Sequence, residues 1–120
     1  MTYRPAPSAG QEFSEKCSWF GFFDGKHKWA DPEDNGENAS GLPETTPGIA
    51  FYCRQTLRHR WRVTFPNGYV IIVPQVDIGP GPETGKGIDI NASLAELAGY
   101  SPTDFPTGTI IKFTYIGDRP

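Results

Sequence analysis

The sequence predicts an all-β domain, a barrel or a sandwich of roughly five to seven short strands with one clear short helix. Three observations predict it. Gly and Pro together exceed a fifth of the 120 residues, alongside 3 Trp and 8 Phe. That mix suits short strands and tight turns better than a helical bundle. Trp61, Val63 and Phe65 alternate with Arg60, Arg62 and Thr64, a period of two with one buried face. Asn67-Gly68 then separates two apolar runs, a strong hairpin signal.

Taken in order, residues 1–13 read as a flexible lead-in, because Pro5, Pro7 and Gly10 break any periodicity. Residues 14–120 read as a single domain of ordinary size. Cys17 to Phe23 is aromatic and reads as the first strand, closed by the turn signal Asp24-Gly25. Residues 26–47 form a long polar loop carrying Asp31, Glu33, Asp34, Glu37 and Glu44, and loops of that length are often functional. Gly48 to Thr56 is a second strand candidate. Tyr69 to Val73 is apolar on both faces, which predicts a central strand, and Pro74 predicts a bulge or an unpaired edge there. Ile88-Asp89-Ile90 is a short strand. Ser93-Leu94-Ala95-Glu96 matches a capping box, and Gly99 ends the helix after one or two turns. Thr109 to Ile116 is the last strand.

Several function classes are excluded. A net charge of −3 leaves no electrostatic footprint for nucleic acid. No run approaches the ~18 apolar residues of a membrane span. Residues 1–13 lack a basic segment followed by an apolar one, so no secretory signal is expected. Cys17 and Cys53 form no CxxC pair, and neither a metal site nor any cofactor is expected. They read as two buried thiols or as one disulfide, which would add ~3–4 kcal/mol in the chain-entropy model. Gly79 to Gly87 superficially resembles a phosphate loop, but Pro80 stands where its first Gly belongs and Gly87 replaces the hydroxyl. His27 and His59 are the 2 histidines, with no nucleophile setting for a triad. Arg54, Arg58, His59, Arg60 and Arg62 read as a solvated face, or as a surface for an anionic polymer with Trp61 as a stacking plate.

The carboxylates remain. Asp77 ends an apolar strand and precedes Ile78-Gly79-Pro80. Its side chain either caps the turn by accepting backbone N–H bonds or serves as a partly buried acid at a strand end. Burial beside Ile78 would help it hold a proton, as a general acid for glycosidic cleavage must.

Trp61-Arg62-Val63-Thr64, Asn67-Gly68, Val70 to Val73, Gln75-Val76-Asp77-Ile78-Gly79-Pro80, Gly85 to Ile90 and Leu94-Ala95 to Gly99 follow one another in an order that resembles the rare lipoprotein A-like domains. These are similar in fold to barwin, expansin and family-45 glucanase domains. Asn38-Ala39-Ser40-Gly41 resembles the Thr-Ala-Ser-Gly stretch of that family's first loop. The resemblance implies a six-stranded double-psi β-barrel with one or two short helices, the long polar loop and a glycan-binding groove. It matches Asp77 to the catalytic aspartate, and makes Asp89, Gly79 and Pro80 structural. Trp29, Tyr100 and Gln75 are candidate glycan contacts, and Glu37 or Asp34 a second acid or substrate contact. The chain departs from the pattern at Ile78, where the family has arginine, at Leu42, where it often has an acid, and at Ile49-Ala50, where its histidine has no counterpart.

The implied function is a peptidoglycan-cleaving lytic transglycosylase that uses one acid/base aspartate, because the sugar's own hydroxyl attacks. Direct hydrolysis with inversion would need two carboxylates ~6.5–9.5 Å apart. The alternatives are a non-catalytic expansin-like glycan-binding module, or a wall-directed structural component of a phage particle or secretion system. The implied partner is a polysaccharide, the glycan strands of peptidoglycan, bound by a monomer at the cell wall or in the periplasm. Delivery would follow a phage or non-classical route, or a leader since removed.

Overall fold

A computed structural model describes residues 3–20, 39–43, 45–81, 87–100 and 108–118. Its elements are β1 (Glu12–Cys17), β2 (Trp19–Phe20), β3 (Ile49–Ala50), β4 (Arg60–Thr64), β5 (Val70–Asp77), β6 (Asp89–Asn91), α1 (Ala92–Leu97) and β7 (Thr109–Tyr115). The strands join in one sheet, in the order β1-β7-β4-β5-β3-β6-β2. Only Ser18 separates β1 from β2, so one continuous stretch supplies both ends of that order. The sheet therefore curls back on itself in a barrel-like all-β fold. The pairs β2/β6 and β3/β5 are parallel, and the other pairings are antiparallel.

The β4–β5 hairpin follows directly from its sequence. The Gly68 N–H bonds the Phe65 carbonyl at 2.9 Å, and Phe65 and Tyr69 close the loop at 2.9 Å. Gly68 takes φ +88, the left-handed conformation that a three-residue hairpin loop places there. Trp61 and Val63 are fully buried and Phe65 is 2 % exposed, while Arg62 faces water. The alternation read from the sequence thus sets the core face. Inward-facing Trp61 is no stacking plate for a polymer. It packs against Phe51 and Tyr115, with ring centroids 4.8 and 5.1 Å away.

Three expectations need correction. The strand from Val70 is central, but Val70 and Ile72 are 51 % and 48 % exposed, so one face of it is bare. Pro74 itself is paired with Arg60 where pairing passes from β4 to β3, and the bulge expected near it falls at Val76, the β5 residue passed over between the pairs Ile49–Gln75 and Ala50–Asp77. The N-terminal segment is not a loose lead-in over its described part. The Arg4 N–H bonds the Tyr52 carbonyl at 2.7 Å, and its guanidinium bonds the Glu15 carboxylate at 2.6 Å. That guanidinium also lies 4.7 Å from the Phe51 ring centroid, a cation–π contact. The first strand begins at Glu12, before the aromatic run.

The helix start is also displaced. Asn91, not Ser93, is the N-cap: its Oδ1 accepts the Leu94 N–H at 2.9 Å. The Ser93 hydroxyl instead donates to the Thr45 carbonyl at 2.7 Å. The C-terminal end follows the expected glycine rule. Gly99, at φ +93, donates to the Glu96 carbonyl while Tyr100 donates to that of Ala95, the paired bonds of a Schellman cap. Cys17 and Cys53 are both buried and are not joined in a disulfide. Among the described residues, no helix is long and apolar enough to cross a membrane.

Candidate functional site

Asp77 is the last residue of β5, held from both its backbone and its side chain. Its carbonyl accepts the Phe51 N–H at 3.3 Å and the Gln75 side-chain amide at 3.1 Å. Its carboxylate Oδ1 accepts the Ile78 N–H at 2.9 Å and the Ala39 N–H at 3.3 Å. The first of these is the local turn-capping bond that an aspartate at a strand end commonly makes. The second is not local. It brings the Ala39-Ser40-Gly41 stretch against the strand end.

That stretch is built in from several sides. The Ser40 N–H bonds the Val76 carbonyl at 3.0 Å. The Ser40 hydroxyl accepts the Leu42 N–H at 3.0 Å, closing a tight turn in which Gly41 takes φ +74. The Ser40 carbonyl receives two bonds from the Arg58 guanidinium, from Nε at 2.9 Å and from Nη2 at 2.6 Å. Beneath the site, the Gln75 amide donates to the carbonyls of Phe51 at 3.0 Å and Cys53 at 2.9 Å, and its oxygen accepts the Thr56 hydroxyl. These bonds join the Phe51–Thr56 segment to β5 and fix the backbone on which Asp77 stands.

Two N–H donors on one oxygen favour the carboxylate form, since they satisfy negative charge directly. This acts against the proton-holding effect expected from burial beside Ile78. The arrangement is a fixed hydrogen-bond acceptor at a strand end.

No family model and no curated protein matches the chain. Among solved structures, it is similar to the Streptomyces papain inhibitor, with a TM-score of 0.59 and 20% identity over 90% of this chain and 96% of that one. At that identity the likeness is one of fold.

The remaining expected residues divide. Gln75 is fully buried and cannot touch a glycan; its side chain is committed to the interior bonds described above. Tyr100 packs on Phe65, with ring centroids 5.7 Å apart, at the hairpin end of β5. Asp77 is at the other end of that eight-residue strand, about 23 Å away at the usual rise per residue. Asp89 accepts the Ser18 N–H at 3.1 Å and the Ser18 hydroxyl at 2.9 Å, where the chain passes from β1 to β2. Gly79 takes φ +147 and precedes Pro80 through a cis peptide bond. Trp29, Asp34 and Glu37 lie outside the described residues.

Three participants were not on the expected list, Ala39, Ser40 and Arg58. Ala39 and Ser40 stood within the loop stretch picked out by resemblance. Arg58 was read as one of several arginines on a solvated face. Its φ of +69 and its aim at Ser40 leave no mark in a charge pattern. His59, the histidine of that same run, shares a 2.5 Å hydrogen bond with the Tyr115 hydroxyl. Among the described residues, no group of three or more His, Cys, Asp and Glu is placed to hold a metal ion.

Proposed function

We propose that this chain is a cell-wall glycan-directed protein of the rare lipoprotein A-like double-psi type, with Asp77 as the acid/base of lytic transglycosylase cleavage. The observation that carries this reading is the contact of Ala39 with Asp77. The loop stretch and the aspartate that the resemblance picks out, distant in sequence, meet at the end of β5. Topology supports the same reading. If Glu12 to Phe20 is counted as one strand bent at Ser18, the strands among the described residues number six, with two parallel pairings between them.

In the proposed reaction, the Asp77 carboxyl group gives its proton to the glycosidic oxygen as the bond to the muramic acid carbon breaks. The primary hydroxyl of the same sugar then attacks that carbon and returns its proton to the Asp77 carboxylate. One carboxyl group serves both steps, and no water is consumed.

A second reading, a non-catalytic expansin-like module, is favoured by the two N–H donors on Oδ1. The Streptomyces protein's name assigns it action on papain; a likeness of fold does not carry that action to this chain.

Incubation of purified sacculi with the protein, followed by mass spectrometry, tests the first reading. It predicts anhydromuramic ends that disappear with Asp77→Asn. Intact sacculi that nonetheless sediment the protein would establish the second reading in its place. Inhibition of papain by a protein that ignores sacculi would displace both.

A further inference from the structure

We infer that Arg58 is a positioning residue for Asp77, holding the loop donor that the carboxylate uses. Among the described residues, Arg58 is the one residue other than glycine with a positive φ, +69. That conformation presses Cβ toward the following carbonyl and is unfavourable for every side chain but glycine's hydrogen. Glycine would make the same turn without strain. The arginine side chain must therefore return something that glycine could not.

It returns a clamp on Ser40. The Arg58 N–H bonds the Gln75 carbonyl at 2.8 Å, which roots the residue on β5. From that root, Nε and Nη2 both reach the Ser40 carbonyl. Three successive residues of β5 are then engaged in turn. Gln75 O takes the Arg58 N–H, Val76 O the Ser40 N–H, and Asp77 Oδ1 the Ala39 N–H. The guanidinium holds the residue next to Ala39, so it sets whether the Ala39 N–H reaches the carboxylate. A two-pronged donor fixes a carbonyl in direction as well as distance, which lysine's single point charge cannot do. Strained residues of this kind persist where the surroundings fix them, and they cluster at functional sites.

The test follows amide resonances through a pH titration of isotopically labelled protein. In the wild type, the Ala39 and Ile78 amides should shift together as Asp77 takes up its proton, because both donate to Oδ1. In Arg58→Gln, the Ile78 amide should keep that response while Ala39 loses it, and Val63 and Phe113 in the core should stay in place. Arg58→Lys should restore part of the Ala39 response. If Arg58→Gln does not fold, Arg58→Gly takes the same backbone conformation without strain and carries the same expectation. An Ala39 amide that still follows Asp77 without the guanidinium overturns the inference.

The consequence for function rests on the reading of Asp77 given above. Under it, Arg58→Gln should weaken release or retention of sacculi at least tenfold. A lost Ala39 response combined with a wild type that ignores sacculi would support the positioning role and remove only the glycan reading.

Discussion

The Ala39 N–H lies 3.3 Å from Oδ1 of Asp77, a contact across 38 positions of sequence. It turns a strand-end aspartate into part of a constructed site. An aspartate that only capped its own turn would need no partner beyond Ile78. The layers behind it are equally specific, with Gln75 below and Arg58 holding the loop from the side.

Gln75 is the polar member of the core on which that site stands. Replacing it by Leu keeps the volume but leaves the carbonyls of Phe51 and Cys53 without the amide that serves them. Phe51 O keeps the Cys53 N–H and Cys53 O keeps the Thr56 hydroxyl, so a loss of about 2 kcal/mol is expected, from the buried hydrogen bonds removed and not from orphaned acceptors. Urea unfolding of Gln75→Leu checks this, and a midpoint equal to the wild type's would mean that these bonds are replaceable.

The helix start offers a sharper comparison. The Asn91 side chain accepts from both Leu94 and Gly48 and donates to the Thr46 carbonyl. Asn91→Ala should therefore cost more than an ordinary cap, about 2 kcal/mol or above. Ser93→Ala removes one exposed bond to Thr45 and should cost about 0.5 kcal/mol. Thermal melts of the two variants should rank them in that order; the reverse order would return the cap to Ser93.

The dependence of stability on pH has two limbs with identifiable owners. The hydrogen bond from Arg60 holds the Asp118 carboxyl below the usual carboxylate range. Because its folded value is depressed, this contribution is present above the unfolded carboxylate range and is lost as pH falls through the folded value. Burial, with the nearby Cys53 thiol second, raises the Tyr115 phenol above its ordinary 10.0. That contribution is present below 10.0 and is lost as pH rises through the folded value. Asp118→Asn should flatten the acid limb of the melting profile, and Tyr115→Phe the alkaline one. Limbs unchanged in both variants would assign the pH dependence to other groups.

The legible parts of the fold were those set by local chemistry. The β4–β5 hairpin followed from alternation about Trp61 and from the glycine that its loop requires. Gly99 ended the helix as its left-handed conformation demands. The less legible parts depend on groups brought from far away. Glu12 to Cys17 is mostly polar, so nothing in its pattern marked it as a strand; pairing with β7 makes it one. Asn91 displaced Ser93 as cap because Gly48 and Thr46 recruit its amide. Gln75 looked like an exposed contact, because a sequence does not show which polar residue points inward. At the site, Asp77 was legible from its place between a strand and a Gly-Pro turn. Arg58 was not, since its role lies in a backbone conformation that arginine seldom adopts.

The central claim is that glycan binds where the Ala39–Ser40 loop meets Asp77. Titrating labelled protein with soluble glycan fragments released from sacculi tests it most directly. The amides of Ala39, Ser40, Ile78 and Gly79 should shift in a saturable way, and Asp77→Asn should weaken that saturation. Shifts confined to the bare face of Val70, Ile72 and Ile110, or no shifts at saturating fragment, would contradict it.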